Sequence, residues 1–218
     1  MAIPIYWSNV GLDIQTSLTT LQAISAITKA NPAVCTYTGA DIVVNGDFII
    51  VTAAGMSQVN DRVFRVANVN TATNAFDLEG EDSTLYDTFV ATGSSFQTIT
   101  FGASANMVQT INVSGGEPEF ADVTTIHDFV RKRAPTVLSP LSFAMDNLFD
   151  LTDPFYVEGN KAYKAKKTRA IRLRFGTGYK MVLTGYVSAS GVPTGQAQGV
   201  VQMKMSIEAQ NVPTSYST

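Results

Sequence analysis

The run Val201-Gln202-Met203-Lys204-Met205-Ser206-Ile207-Glu208-Ala209-Gln210 alternates apolar and polar side chains without a break. Side chains of a strand point to opposite faces in turn, so this segment predicts a strand with one buried and one exposed face. The same rhythm recurs upstream. In Arg169–Phe175 the residues Ile171, Leu173 and Phe175 share one face while Arg172 and Arg174 share the other. Lys180–Val187, Met107–Val113 and Phe96–Phe101 repeat it over shorter lengths. Turn chemistry separates the runs, at Ser114-Gly115-Gly116, Gly176-Thr177-Gly178 and Ser190-Gly191-Val192-Pro193. Many short strands punctuated in this way predict a β-sandwich or barrel.

A single helix interrupts them. Asp153 supplies an N-cap and Pro154 fits the first helical position. Phe155, Tyr156, Ala162, Tyr163 and Lys166 then recur at helical spacing on one face. Lys164, Lys166 and Lys167 fall in the last turn, where cations oppose the negative end of the helix dipole. Gly159 weakens the helix by about 1 kcal/mol relative to alanine. The expected fold is therefore all-β, a sandwich or barrel with one packed α-helix.

A second unit is expected inside the first. Short β-branched strands follow one another at Ala33–Tyr37, Phe48–Val51, Val63–Val69 and Phe76–Leu78, divided by Asn45-Gly46-Asp47 and Asn70–Asn74. Lysine disappears after Lys29, and small polar residues flank the segment at Ser25 and Thr92–Ser95. Residues 27–91 thus read as an inserted small β-barrel, and 1–26 with 92–218 as a discontinuous β-sandwich domain.

Composition narrows the function classes. A chain of 218 residues makes one large domain, or a medium domain carrying an insertion. Hydrophobic residues are 45% and charged residues only 15%, against roughly 25% charged in ordinary soluble domains. That deficit predicts a neutral surface covered by other chains. A net charge of -3 excludes a generally basic nucleic-acid binder. Nine of the 15 bases lie beyond residue 158, with Glu208 as the single acid there, while the preceding stretches are acidic. Either neighbouring copies attract one another through these blocks, or a basic helix and strand are simply solvated. The first residues lack the basic and apolar regions of a secretory leader, and no window approaches the ~20 apolar residues of a membrane span. Asn112-Val113-Ser114 matches a glycosylation sequon but carries no weight without such a leader.

No set of residues announces catalysis. The lone histidine, His127, sits beside Asp128 but falls in a connection after the expected strand Phe120–Ile126. Cys35 reads as a buried thiol, and one Cys with one His cannot build a structural zinc site within the chain. Asp146, Asp150 and Asp153, and the run Glu79, Glu81 and Asp82, miss the ligand spacing of a calcium loop. Phe175–Lys180 is a hairpin turn rather than a phosphate loop. The expectation is no enzyme activity, no catalytic residue, no cofactor and no metal.

The block Ile111–Ile126, with Ser114-Gly115-Gly116-Glu117-Pro118 and Asp122-Val123-Thr124-Thr125 at its centre, resembles the tail tube (major tail) protein of long, non-contractile phage tails. So do Ala162–Phe175, Tyr179–Ser188 and the alternating last strand. The resemblance covers roughly residues 1–24 and 95–212. The segment from Ile27 to Gly80 separately resembles a small β-barrel module of phage tail proteins, similar to a half-domain of ubiquitin-activating enzymes. It departs from that pattern at Thr38-Gly39-Ala40-Asp41.

The resemblance implies a virion protein, assembled in the host cytoplasm, that forms six-membered rings stacked into a tube. Its implied partners are copies of itself, a tape-measure protein inside the tube, and tail terminator and distal tail or baseplate proteins at its ends. Phage DNA crosses the lumen only transiently, and no membrane is involved. The residues expected at subunit contacts are Lys164, Lys166, Arg172 and Arg174, with Val201, Met203, Met205 and Ile207, whose apolar face needs a partner layer. Acids should outnumber bases on the inner wall, because a lysine- and arginine-lined lumen would hold phosphates. The segment near 27–91 is expected to decorate the outside of the tube and to be dispensable for building it. The alternatives are a surface-binding or adhesion β-sandwich for carbohydrate or the cell envelope, and a related tail-terminator or secretion-tube protein. Exposed aromatics would mark the binding module, and Trp7 with the eight tyrosines permits it, but Trp7 in Ile5-Tyr6-Trp7 reads as an anchor of the core or an interface.

Overall fold

The computed structural model describes residues 10–39 and 43–217; Trp7 and the turn at Ala40-Asp41 lie outside them. The chain starts with β1 (Val10–Leu18) and then lays down β2 (Gln22–Ile27), β3 (Ala33–Thr38), β4 (Phe48–Ala54), β5 (Arg62–Asn70) and β6 (Ala75–Leu78). A long strand follows, β7 (Val90–Ser104). Next come β8 (Val108–Ser114), β9 (Pro118–Asp122), β10 (Arg133–Leu138) and β11 (Ser142–Leu148). After the helix α1 (Pro154–Ala165) the chain ends with β12 (Thr168–Phe175), β13 (Lys180–Ser188), β14 (Pro193–Thr194), β15 (Gln202–Ala209) and β16 (Thr214–Tyr216).

The fold is all-β with one helix. Strands β2, β3, β6, β5, β4 and β7 close on themselves, since β7 pairs with both β4 and β2. This six-stranded barrel is filled by Ile49, Phe64, Phe76, Leu78 and Phe96. Phe76 and Phe96 meet edge to face at 5.3 Å, the favoured geometry for an aromatic pair. The strands that complete the barrel, β2 and β7, extend past both ends of the 27–91 segment read from composition.

The remaining strands continue from the barrel wall in the order β7, β1, β12, β13, β15, β11, β8, each antiparallel to its neighbour. They curl over a second core of Leu12, Ile14, Phe143, Met145, Ile171, Leu183, Met203, Met205 and Ile207, closed on one side by Phe155 and Tyr156 of α1. The helix begins where the sequence places it: the Asp153 carboxylate accepts from the Phe155 and Tyr156 amides at 3.0 and 3.2 Å. Gly159 has a packing role that its helix propensity conceals. A Cβ there would lie 3.1 Å from both Met205 Cε and Val187 Cγ1, so the missing side chain lets α1 settle on the sheet.

β7 belongs to both units. Its first half pairs with β4 and β2, and Ile99–Ser104 pairs with β1. A third apolar cluster sits between barrel and sheet: Phe48 and Val63 from the barrel, Ala170 and Val182 from β12 and β13, with Ile99 and Tyr216. β13 is consequently buried on both faces, with Val182 and Leu183 side by side in the chain and both almost inaccessible. The tail of the chain seals the junction. Thr214 Oγ1 donates to the Val63 carbonyl at 2.6 Å, and the Arg65 amide donates to Tyr216 Oη at 2.9 Å.

Candidate assembly surfaces

Two features leave the molecule open to other chains. The first is an arm. The chain leaves the end of β8 as β9 and returns as β10 into the start of β11, and among the described residues β9 and β10 pair only with each other. Every residue of β9 is exposed. At the base of the arm Gly115 adopts φ 84° and lies so close to the Pro140 carbonyl that any side chain would collide with it. The two chains are tied there by Ser139 N to Glu117 O at 2.9 Å and Gly116 N to Ser139 O at 3.1 Å. The far end is a built turn: the Asp122 carboxylate accepts from the Thr124 amide at 2.9 Å, and Asp128 accepts from Thr125 and Lys132. These hydrogen bonds hold the Asp122 and Asp128 carboxyls below the ordinary carboxylate range. The turn presents Ile126, Phe129 and Val130 to solvent, and Phe129 has no cover among the described residues (105% exposed).

A two-stranded ribbon is marginal in water by itself, and an aromatic side chain held wholly in water gives no burial energy back. The arm therefore describes a half-made contact.

The second feature is an edge. Among the described residues β8 has one strand neighbour, β11, and ends the sheet. Beside it a groove of about 500 Å³ runs between Val108–Asn112 and the first residues of β1, Val10 and Leu12. An uncovered edge of this kind is a template for an added strand. A second groove, of about 440 Å³, lies between the end of α1 and β13, floored by Tyr163, Tyr186 and Val187 and rimmed by Lys164 and Lys166.

A family model described as phage tail tube protein (TTP) matches residues 54–218. The chain belongs to the phage tail tube protein family. It is a structural component of the phage tail, part of the virion. No curated protein matches it. The match takes in β5 and β6 as well as everything from β7 onward.

The tail tube protein distributes the expected contact residues over three environments. Met203, Met205 and Ile207 are buried in their own core, where Phe143 and Met145 of β11 and Phe155 of α1 supply the partner layer within the chain. Val201, at the start of that strand, is about half exposed. Lys164 and Lys166 are exposed beside the α1–β13 groove, and Lys166 itself ends the helix in the left-handed conformation at φ 52°. Arg172 and Arg174 converge on Asp13 of β1: Arg174 Nε donates to its carboxylate at 2.6 Å and Arg172 Nε at 2.9 Å. Ser104 Oγ adds a third donor at 2.7 Å. Burial alone would raise the Asp13 carboxyl, yet the hydrogen bonds from Arg174, Ser104 and Arg172 outweigh it and hold it low. Arg172 also stacks over Phe101, its guanidinium carbon 4.5 Å from the ring centroid. These two arginines knit β1, β7, β12 and the barrel wall together.

The acids that stood as chemical candidates have structural partners, and the thiol is buried. Asp146 accepts from Thr110, Asp150 from Thr152, and Asp153 caps α1. Glu79 pairs with Arg65, and Glu81 with Arg62 at 2.6 Å. Burial pushes the Cys35 thiol far up, out of the reactive range. His127 lies in the turn at the end of the arm, and Phe175–Lys180 is the tight β12–β13 hairpin, with Gly178 N donating to the Phe175 carbonyl at 2.8 Å. The arm itself has no alternating pattern to reveal it. Its available signals were the Gly115-Gly116 kink and a cluster of large apolar residues among turn formers.

Proposed function

We propose that the tail tube protein assembles with its own copies into stacked rings, six subunits to a ring, forming the tube that conducts the phage genome. The observation that carries this reading is the arm: an ordered ribbon with Ile126 and Phe129 wholly in solvent is built to be covered by another subunit. The open edge of β8 supports it, because strand pairing across copies turns a sheet with an end into a continuous wall. Rings that stack need head-to-tail contacts, with different patches meeting.

In this role the protein is structural and acts on no substrate. Assembly takes place in the host cytoplasm around a tape-measure protein, with terminator and distal tail proteins closing the two ends. DNA passes without being held, which requires few free cations on the inner wall. The commitment of Arg172 and Arg174 to Asp13 agrees with that requirement. The barrel lies on the outer surface.

The test is negative-stain microscopy of the purified protein at rising concentration. Rings or hollow filaments are expected, and the double variant Ile126→Ser with Phe129→Ser should keep the monomer's melting curve while losing them. A wild-type protein that stays monomeric under all conditions, with and without tail extract, would overturn the reading.

A further inference from the structure

One side chain of the barrel is as conspicuous as the tip of the arm. Leu85 is 94% exposed at the apex of a tight turn between β6 and β7. The turn is clamped on both sides. Ser83, fully buried, donates to the Thr28 carbonyl at 2.7 Å and accepts from the Ala30 amide at 3.0 Å. The Tyr86 amide donates to the Ser83 carbonyl at 3.1 Å, and Tyr86 Oη donates to Glu81 at 2.6 Å. Two exposed acids flank the leucine. Asp82 accepts from Thr84 and Asn31, and Asp87 from Gln58 and Ser57, and neither belongs to an ion pair among the described residues. The result is a preorganised apolar knob between two negative charges.

The groove at the end of α1 is its complement. Its floor is the apolar faces of Tyr163, Tyr186 and Val187 with Ala162, and its volume of about 440 Å³ admits the leucine with the flanks of its turn. Lys164 and Lys166 stand on the rim, and neither belongs to an ion pair among the described residues. Glu208 also borders the groove, its carboxylate held by Ser142 Oγ at 2.7 Å, so the rim carries two cations and one anion and the cations lie at the α1 end. We infer that this groove receives the Leu85 turn of a second copy, with Lys164 and Lys166 facing Asp82 and Asp87. Knob and groove are different patches of one chain, so the contact is head to tail. A rigid knob loses little freedom on docking, and a side chain buried in a pocket whose rim excludes water is where protein interfaces concentrate their energy, the rim charges adding orientation. The barrel then takes part in holding subunits together.

The inference rests on the self-assembly proposed above, and the experiment separates the two. Leu85→Cys protein is mixed with Tyr163→Cys protein carrying a size tag, assembled, and treated with a mild thiol oxidant; Cys35 is buried and stays silent. The expected product is the mixed disulfide, at least tenfold over either like-with-like pair. In parallel, Leu85→Asp should raise the concentration needed for assembly roughly thirtyfold, the effect of losing a hot spot. Lys164→Glu with Lys166→Glu should act alike, whereas Lys164→Arg with Lys166→Arg, which keeps both charges, should assemble normally. Leu85 is exposed, so Leu85→Asp should leave monomer melting unmoved, and the glutamate pair at the end of α1 should lower it only slightly through the helix dipole. Tubes that form without the mixed disulfide, or with Leu85→Asp assembling as wild type, overturn this contact and leave the assembly reading intact. No assembly of the wild type overturns both.

Discussion

Replacing residues 28–90 with a short Gly/Ser linker tests how the two units depend on each other. If the segment were a self-contained insertion, its removal would cost the rest of the chain little beyond loop closure. The packing predicts a larger cost. The excision removes β3 to β6 and leaves β2 and the first half of β7 without a barrel, exposing Ile24 and Phe96, each now no more than 2% accessible. It also strips Phe48 and Val63 from the junction and wets Val182 and Ile99. Fully burying a Val, Ile or Phe side chain is worth about 1.5–3 kcal/mol, so these four together represent roughly 6–12 kcal/mol, an upper figure because the unfolded chain already hides some surface. A domain's whole stability is about 5–15 kcal/mol. The Thr214 and Tyr216 hydrogen bonds to the barrel are lost as well. The shortened chain should therefore be insoluble, or soluble without a cooperative melt by circular dichroism. Val63→Ala, a milder probe of the same cluster, should cost about 2 kcal/mol. A deletion protein that melts cooperatively within a few degrees of the parent would refute the argument.

Asp13→Asn leaves two guanidinium groups facing each other, and should cost about 2–4 kcal/mol, discounted from the usual buried-pair value because Arg174 is nearly half exposed (46%). The Asp13 carboxyl is held below its unfolded value, so its contribution is present above that value and lost as pH falls through the folded one. Urea melts between pH 2 and 7 should show a shallower acid loss in the variant, and parallel profiles would count against the network. Gly159→Ala gains about 1 kcal/mol of helix propensity but pushes on Val187 and Met205; a lower melting temperature is expected, and a higher one would show that the sheet gives way. Cys35 should ignore thiol reagents until the protein unfolds, so labelling in native buffer would contradict its burial.

What could be read along the chain was whatever depends on neighbours in sequence. The alternation in Val201–Gln210 and Arg169–Phe175 gave β15 and β12, because a half-buried strand writes its two faces into a period of two. Asp153-Pro154 gave the start of α1, because an N-cap is satisfied within three residues. β11 escaped notice: Ser142–Leu148 turns Asn147 inward beside Phe143 and Met145, which blurs the period. Of the arm only part was legible: the strand expected at Phe120–Ile126 lies at Pro118–Asp122 and stops where the turn that holds Ile126 begins, while β10 escaped because both faces of the ribbon are wet and leave no alternation.

The sequence by itself determined the β-rich fold with one helix and, through residue patterns spread along the chain, the tail tube family. Tertiary structure alone decided which faces remain for other subunits. Met203, Met205 and Ile207 had to be covered by something, and only the path of β11 and α1 made that cover internal. Arg172 looked free for a neighbour until β1 brought Asp13 to it across the sheet. Periodicity records that a face is buried, not what buries it. The partner is chosen by strand order and register, which depend on pairings between residues as distant as 13 and 172.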